Sequence, residues 1–370
     1  MADTIAEIES FCLVGKTSPD QWGPPYGFFV KVTTSDGLVG FGESDTMPDI
    51  AQAVINARAI NSLVTGLREL LLGSSAEPLS AWERMRDAVA QYGRDGAVLH
   101  AMAAIDIALW DIAGKRANKS VAGLLGGMKH PRLRCYGTQA LGETLAENAE
   151  NAQAVVAQGF SAVKLGWPPF GLAPDHDEAI VRALRDAVGP SVDLLIDAGM
   201  AWDLTAARAR AERLRIYDLF WLEEPFAAYD IHSYARFRTE AGIPIAAGEM
   251  AASASELRRL IDSRCIDVLQ IDVSRTGLTQ AAQIAQHANR QGIAIVNHTY
   301  SYIANAAASA QLMAATSAIS LFECQARDNE IRSAINRGQL RPKDGWIQVP
   351  EAPGLGIVVD EGALSYFARG

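Results

Sequence analysis

Two hydrophobic patterns divide the chain near residue 130. Up to about residue 44, apolar and polar residues alternate in IAEIESFCLVG and GFFVKVTTSDGLVGFGES, and residues 35–37 mark a hairpin turn. From about Asp49 to Lys115, apolar residues recur at spacings of three and four, which predicts helices. Strands followed by helices predict an α+β unit over residues 1–130.

Beyond residue 130, strand-length apolar runs alternate with stretches of helical spacing. The eight runs are LRCYGT, SAVKLG, VDLLIDA, LFWLEEP, IPIAAGE, IDVLQID, IAIVNHT and AISLFECQ. This alternation predicts a parallel sheet, and eight units suit a closed α/β barrel over residues 131–354. A doubly wound sheet would require a glycine-rich turn after its first strand, and the sequence has none there. We expect residues 355–370 to leave the barrel and pack on the N-terminal unit.

An ionisable residue stands at or near the end of seven of these runs. They are Lys164, Asp197, Glu223, Glu249, Asp272, His298 and Glu323. From the second to the last of them the separations are 26, 26, 23, 26 and 25 residues, about one strand–helix unit each. Because barrel active sites lie at the carboxyl ends of the strands, we expect these side chains to converge on one mouth. Buried ionisable groups are costly unless they are paired or bind a metal.

Three of these residues form a candidate metal site. Asp197, Glu223 and Glu249 end consecutive strands, so their carboxylates would repel one another unless a cation lay among them. An all-oxygen ligand set favours a hard divalent ion such as Mg²⁺. Glu224 is an alternative to its neighbour, since only one of two adjacent strand residues points inward.

Two further strand ends supply candidate proton-transfer groups. A carboxylate such as Asp272 beside His298 fixes the imidazole tautomer and raises its basicity. Lys164 can act as a base or stabilise a developing negative charge. The remaining histidines lie away from the strand ends and carry no prediction: His100, His130, His176, His232 and His287.

The motifs in their order resemble those of a known family. GFSAVKLG, IDAG, WLEEP, GE, QIDVSRTGL and NH, preceded by AAIDIALWDIAGK and LLGG and followed by PGLGI, resemble the mandelate racemase subgroup of the enolase superfamily. The resemblance spans essentially the whole chain. It implies a (β/α)7β modified TIM barrel and an N-terminal α+β capping domain, completed by residues 355–370. It also implies a homo-oligomer of two to eight subunits.

The resemblance assigns roles to the strand-end residues. It implies one Mg²⁺ per active site, bound by Asp197, Glu223 and Glu249. It further implies an Asp272–His298 dyad, and a hydrogen bond from the Glu323 position to the enolate oxygen of the substrate. Use of a lysine or histidine base with Mg²⁺ is a known pattern of this superfamily.

Two positions depart from the family pattern. The second strand often carries Lys-x-Lys with its second lysine as a base, but here Lys164 matches the first lysine and Gly166 stands where the second would be. Ala198-Gly199 stands where Ala-Asn is usual. The first departure weakens any racemisation that uses two bases. The second removes a polar side chain and leaves room for a longer substrate or a water.

The reaction implied by the resemblance begins with removal of the proton α to a carboxylate. We expect dehydration of an acid sugar, an aldonate or aldarate, through a metal-stabilised enediolate to a 2-keto-3-deoxy acid. His298 is the leading proton-transfer group, but Lys164 as the base with His298 as the acid remains open. A racemase, epimerase or cycloisomerase is the first alternative, and a barrel that binds acids without turnover is the second.

Aromatic residues near the strand ends are candidates for binding the substrate. Trp22 and Tyr26 belong to the N-terminal loop that closes over substrate in this family. Trp167, Tyr300 and Tyr302 flank strand ends. Their rings and hydroxyls suit a polyhydroxylated acid, although packing in the core is an equally good interpretation.

Composition narrows the class of protein. The 370 residues include 33 Lys+Arg and 43 Asp+Glu, a net charge of −10 that argues against binding nucleic acid. We expect no membrane span, since no apolar run approaches ~20 residues, and no signal peptide. Four scattered cysteines suit a reducing cytoplasm. Five of the acids lie at the predicted mouth, where Mg²⁺ would offset two charges and reconcile an acidic protein with an anionic substrate.

Overall fold

The N-terminal strands form an antiparallel sheet in the order β1-β2-β3. The computed structural model describes residues 3–16, 25–61, 64–316 and 321–368. The strands are β1 (Ile5–Val14), β2 (Tyr26–Thr34) and β3 (Val39–Ser44). Gly37 in the β2–β3 turn has a φ of +87°, which residues with a side chain rarely adopt.

Five helices follow this sheet. They are α1 (Pro48–Asn56), α2 (Leu67–Leu71), α3 (Pro78–Val89), α4 (Ala97–Ala117) and α5 (Val121–Leu124). The long helix α4 packs directly on β3, since a Cβ on Gly40 or Gly42 would lie 2.1 or 1.8 Å from a carbonyl oxygen of α4. This helix also corrects the expectation that no apolar run reaches membrane-span length. By length and composition, helix α4 is long and apolar enough to cross a membrane. However, 72% of its most apolar window is buried inside the protein.

Eight parallel strands build the second unit. They are β4 (Arg132–Ala140), β5 (Ala162–Gly166), β6 (Asp193–Asp197), β7 (Leu219–Glu223), β8 (Ile245–Ala247), β9 (Val268–Ile271), β10 (Ala294–Asn297) and β11 (Phe322–Gln325). Hydrogen bonds pair them in the spatial order β10-β9-β8-β7-β6-β5-β4-β11. The apolar runs of the sequence are therefore strands that are neighbours in space as well as along the chain.

Helices connect the barrel strands. They are α6 (Leu145–Ala157), α7 (Pro174–Val188), α8 (Leu204–Leu214) with a 3-10 turn (Arg215–Tyr217), α9 (Ile231–Glu240), α10 (Ala254–Asp262), α11 (Val273–Thr276), α12 (Leu278–Gln291) and α13 (Ile303–Ala315). Seven strand–helix units and a last strand make a (β/α)7β barrel, which confirms the predicted fold class. Helix α14 (Glu330–Asn336) follows β11 and packs instead in a cluster with Leu13 and Phe29 of the N-terminal sheet.

A side chain bridges the two end strands of the barrel. Asn297, the last residue of β10, accepts a hydrogen bond from the backbone N–H of Glu323 in β11 at 2.8 Å. Its amide also donates to the Glu323 carbonyl at 3.4 Å. The bridge completes the nearly closed barrel and holds Glu323 beside the end of β10.

The remaining C-terminal segment returns to both units. Strand β12 (Trp346–Gln348) pairs antiparallel with the start of β4, and Leu355 donates its N–H to Asp111 of α4 at 2.9 Å. Helix α15 (Glu361–Phe367) lies against β1, where Ala368 forms a bridge with Leu13. The chain end thus contributes to the apolar cluster beneath the N-terminal sheet. All four cysteines are buried, and none of them forms a disulfide.

Candidate active site

The structure brings the seven strand-end residues into one buried group. Lys164 contacts Glu223 and Glu323, and the latter lies in register with Tyr136 of β4. Gly166, Asp197 and Glu223 are aligned across β5, β6 and β7. Regular spacing along the sequence therefore corresponds to alignment for Asp197 and Glu223, whereas Glu249 lies three residues beyond Ala246, the partner of Glu223 in β8.

Three carboxylates lie together at the ends of β6, β7 and β8. One oxygen each from Asp197, Glu223 and Glu249 lies within 4.8 Å of the other two, and all three residues are buried. Burial raises the pKa of Asp197, as do the neighbouring Glu223 and Glu249. Burial also raises the pKa of Glu249 to about 8. This concentration of negative charge fits a divalent cation, and these residues can hold one.

The two adjacent glutamates at the end of β7 point to different surroundings. Glu223 receives a hydrogen bond from Trp221 Nε1 at 3.0 Å and faces the other two carboxylates. Glu224 instead accepts backbone N–H groups of Gly248 and Met250 at 3.3 and 3.2 Å. The geometry therefore favours Glu223 as the candidate metal ligand, whereas the carboxylate of Glu224 stabilises the turn after β8.

Lys164 lies between two carboxylates on the barrel wall. Its Nζ is 2.6 Å from Glu223 Oε1 and 2.9 Å from Glu323 Oε1. Burial lowers the pKa of Lys164, but these two carboxylates outweigh burial and raise it well above its ordinary value. Glu323 is also held on its other oxygen by the N–H of Thr299 at 2.7 Å. The ammonium is thus a fixed positive charge beside the carboxylate group.

An imidazole and a carboxylate form the other half of the site. His298 Nδ1 lies 2.7 Å from Asp272 Oδ2, and His298 Nε2 lies 3.3 Å from Glu249 Oε2. Burial lowers the pKa of His298, whereas Glu249, Glu323 and Asp272 together raise it to about 10. Burial raises the pKa of Asp272, but the hydrogen bond and charge of His298, together with Arg275 and Ser274, outweigh burial and lower it to about 2. Asp272 therefore stays ionised, and Nε2 is the imidazole nitrogen that faces the carboxylate group.

Gly166 is packed against one of the candidate ligands. A Cβ at this position would lie 2.3 Å from Asp197 Cβ and 2.4 Å from the Asp197 carbonyl oxygen. The following residue reinforces this contact, because Trp167 donates its backbone N–H to the same carbonyl at 3.0 Å. In this structure the space that a second lysine would need is filled by the backbone of Asp197.

We expect Gly166→Ala to destabilise the protein and weaken metal binding. The added methyl group must displace the backbone that carries Asp197, and overpacking of this kind typically costs about 1–3 kcal/mol. Gly123→Ala is the matched control, because its Cβ would find its nearest neighbour, Ser120 Oγ, at an ordinary 3.4 Å. Thermal unfolding with and without Mg²⁺ measures both effects. Equal unfolding temperatures for the two variants would contradict the expectation.

The candidate substrate-binding aromatics lie in different surroundings. Trp22 lies outside the described residues. Tyr26 and Tyr300 are exposed, whereas Tyr302 is buried at the junction of the two units, where it donates to the Tyr26 carbonyl at 2.8 Å. Trp167 Nε1 donates to Asp197 Oδ2 at 2.9 Å, so its indole holds a candidate metal ligand while part of the ring remains exposed.

Several groups around the proton-transfer pair are not predicted by the sequence. Arg275 lies 3.8 Å from Asp272 through Nε, 2.9 Å from Asp45 Oδ2 through Nη2, and donates to the Glu249 carbonyl at 2.5 Å. Asn305 Nδ2 donates to Asp272 Oδ1 at 3.3 Å. Arg275 stands in the motif QIDVSRTGL three residues after the aspartate, and this position is its one signal in the sequence. Nothing in the sequence places Asp45 beside it.

Fold and site together define a class of protein. A capped barrel whose strand ends carry three clustered carboxylates, a lysine and an Asp–His pair has the arrangement of a barrel enzyme's active site, with residues that can hold a divalent cation. The model of the mandelate racemase / muconate lactonizing enzyme N-terminal domain matches residues 26–126, and that of the enolase C-terminal domain-like family matches residues 147–363. The chain belongs to this family, within the enolase superfamily, as the sequence motifs indicated.

The relatives and neighbours of this chain include cycloisomerases, dehydratases and a racemase. The chain is 30% identical to D-galactarolactone cycloisomerase of Agrobacterium fabrum over 91% of its length and 90% of the relative's. It is 30% identical to D-galactonate dehydratase of Ralstonia pickettii over the same shares of the two chains. A racemase from Streptomyces coelicolor with bound magnesium superposes with a TM-score of 0.87 at 25% identity, covering 99% of this chain and 100% of that one.

These relatives confirm that the protein is an enzyme of the lyase or isomerase class. Dehydratases and cycloisomerases of sugar acids are both among them, so the alternative of a barrel that only binds acids is set aside. The choice between the two reactions depends on the groups that this particular site supplies.

Proposed function

We propose that this protein is a Mg²⁺-dependent dehydratase of a sugar acid, an aldonate or aldarate, that forms a 2-keto-3-deoxy acid. The observation that carries the proposal is the single Asp272–His298 pair beside the carboxylate group, with Gly166 packed on Asp197 where a second base would stand. Racemisation requires a proton acceptor on each face of the carbanion. Dehydration requires only one imidazole that accepts a proton and then returns it.

We assign the metal to Asp197, Glu223 and Glu249. Their burial, their clustered oxygens and the raised pKa of Glu249 support this assignment. When Mg²⁺ is bound, it supplies positive charge that stabilises the negative charge developing on the substrate carboxylate. Since Glu249 is the carboxylate that most raises the pKa of His298, its neutralisation by a cation favours the neutral imidazole that accepts a proton.

In the proposed mechanism His298 Nε2 takes the proton from C2 of the substrate. Asp272 holds Nδ1 at 2.7 Å, which orients the ring and stabilises the imidazolium that forms. The imidazolium then returns the proton to the hydroxyl leaving from C3, so that water departs and a C2–C3 double bond remains. The resulting enol converts to the 2-keto acid. The overall reaction converts the sugar acid to the 2-keto-3-deoxy acid and one molecule of water.

Lys164 and Glu323 act on the charge of the intermediate in this proposal. The ammonium, held by two carboxylates at 2.6 and 2.9 Å, is a poor proton acceptor and a good electrostatic partner for an oxyanion. This pairing supports His298 over Lys164 as the base. Tyr26, Trp167 and Tyr300, with Trp22, remain the candidates for contact with the hydroxylated part of the substrate.

The reaction is tested by product analysis on a panel of aldonates and aldarates with Mg²⁺ present. We expect a 2-keto acid to accumulate for at least one member of the panel, detected by carbonyl derivatisation. Running the same reactions in ²H₂O and recording proton spectra separates dehydration from isomerisation. Recovery of substrate inverted or deuterated at C2, with no keto acid across the panel, would show that the dehydratase assignment is wrong.

A cycloisomerase acting on a sugar-acid lactone is the second candidate. It is favoured by the similarity to D-galactarolactone cycloisomerase, which matches as much of the chain as the dehydratases do. The same His298 could serve either reaction, because both begin with transfer of the α-proton. Lactones of the panel acids therefore belong in the screen, and conversion of a lactone to a ring-opened keto acid with neither loss nor gain of water identifies this activity.

A further inference from the structure

The C-terminal end of strand β3 reaches across the domain junction towards the proton-transfer pair. We call the consecutive residues Glu43, Ser44 and Asp45 the β3 clamp. Glu43 is fully buried and accepts backbone N–H groups of Tyr302 and Asn305 at 2.5 and 3.1 Å at the start of α13. The clamp thereby binds the start of α13, the segment that follows His298 in the chain.

The other two clamp residues hold the segment that follows Asp272. Ser44 Oγ donates to the Ser274 carbonyl at 2.8 Å, and the Asp45 N–H donates to Ser274 Oγ at 3.2 Å. The Asp45 carboxylate pairs with Arg275 at 2.9 Å. All three contacts are made with α11, the short helix whose first turn is capped by Asp272.

The residues gripped by the clamp are those that hold the Asp272 carboxylate. Oδ1 accepts the Ser274 N–H and hydroxyl, both at 2.7 Å, and the Asn305 amide at 3.3 Å. Oδ2 lies 3.8 Å from Arg275 Nε and 2.7 Å from His298 Nδ1. Each of the three partners other than His298 is itself bound to a clamp residue.

We propose that the β3 clamp positions the Asp272–His298 pair, so that the capping domain is part of the proton-transfer machinery. The hydrogen bonds and ion pairs of the clamp side chains go to Ser274, Arg275 and the start of α13, and the clamp acts on the pair through these groups. The inference rests on the proposed function only in naming the reaction that would be slowed. Small errors in the placement of a reacting group can cost on the order of 100-fold in rate.

The test compares clamp variants with a control at the same domain junction. The variants are Glu43→Gln, Ser44→Ala and Asp45→Asn. The control is Asp106→Asn, because Asp106 of α4 also accepts a backbone N–H at the start of a barrel helix, that of Thr279 at 2.8 Å. Among the described residues, the hydrogen bonds and ion pairs of Asp106 do not include Asp272 or any of the three groups that hold it.

We expect kcat to fall about 10- to 100-fold in the clamp variants, with KM and Mg²⁺ affinity within about threefold of the wild type. Asp106→Asn should lower the unfolding temperature but leave kcat unchanged. A second readout needs no substrate. The ¹⁵N signals of the His298 ring, assigned by their absence in His298→Asn, should shift in the clamp variants and not in the control.

The kcat values, the unfolding temperatures and the His298 signals together support or overturn the proposed role of the clamp. If the control loses as much activity as the clamp variants at an equal loss of unfolding temperature, the effect is general stability and the proposal is overturned. Unchanged kcat and unchanged His298 signals in all three clamp variants overturn it as well. If no sugar acid is dehydrated by the wild type, the proposed function fails, and the His298 signals test the clamp independently.

Discussion

His298→Asn should reduce the rate of dehydration by about 10²- to 10⁴-fold, the usual contribution of a positioned acid–base group. Asparagine preserves the approximate size of the side chain and a nitrogen near Asp272, but it cannot accept and return a proton. The substrate should still bind, since the carboxylate group and Lys164 are untouched. We therefore expect the loss in kcat, with a KM close to that of the wild type.

His287→Asn provides the control for this substitution. His287 lies on helix α12 and pairs with Asp262 at 2.6 Å, away from the barrel mouth. Its replacement should leave kcat unchanged. Dehydration at the wild-type rate by His298→Asn would contradict the assignment of His298 as the base. Lys164 would then be the remaining candidate for the base.

Glu223→Gln should abolish tight Mg²⁺ binding and with it the activity. The amide removes one of three negative charges from the cluster, and the expected loss of affinity exceeds the roughly 10- to 100-fold cost of altering an outer partner of a metal site. Titration calorimetry with Mg²⁺ measures the affinity directly. Chelation of the metal from the wild-type enzyme should have the same effect on the rate, and added Mg²⁺ should restore it.

The neighbouring Glu224→Gln is the matched comparison. Its amide oxygen can still accept the N–H groups of Gly248 and Met250, so the turn after β8 should be retained. We expect Mg²⁺ affinity within about tenfold of the wild type, as for an outer partner. Loss of Mg²⁺ binding in Glu224→Gln together with retention in Glu223→Gln would mean that Glu224, not Glu223, is the metal ligand at the end of β7.

Much of the barrel can be predicted because its signals are local and repeated. Each strand is a short apolar run, and a nearly constant separation places the polar residue that ends it at the same mouth of the barrel. That regularity is sufficient to group Asp197, Glu223 and Glu249 from their spacing along the chain. Their proposed role as metal ligands remains a prediction.

Choices between neighbouring side chains cannot be made in the same way. Strand alternation requires that only one of Glu223 and Glu224 face the mouth, but the pattern does not say which. The packing decides it, because the N–H groups after β8 are available to Glu224 alone. Likewise the sequence suggests substrate contact or packing for Trp167, whereas the structure gives its indole a hydrogen bond to Asp197.

The capping domain contributes what the sequence does not reveal. Glu43 and Asp45 are more than 220 positions away from Asp272, and no periodic pattern relates a strand of one unit to a helix terminus of another. Their contacts arise from the way two separately folded layers dock.

The sequence by itself indicated a barrel and the spacing of ionisable groups at its mouth, because these follow from hydrophobic periodicity and the length of each strand–helix unit. The resemblance of its motifs implied the family. The tertiary structure decided which glutamate faces the carboxylate cluster, why Gly166 admits no side chain and how β3 reaches Asp272. Those features depend on distances of a few ångströms between segments far apart in the chain. Only packing sets such distances.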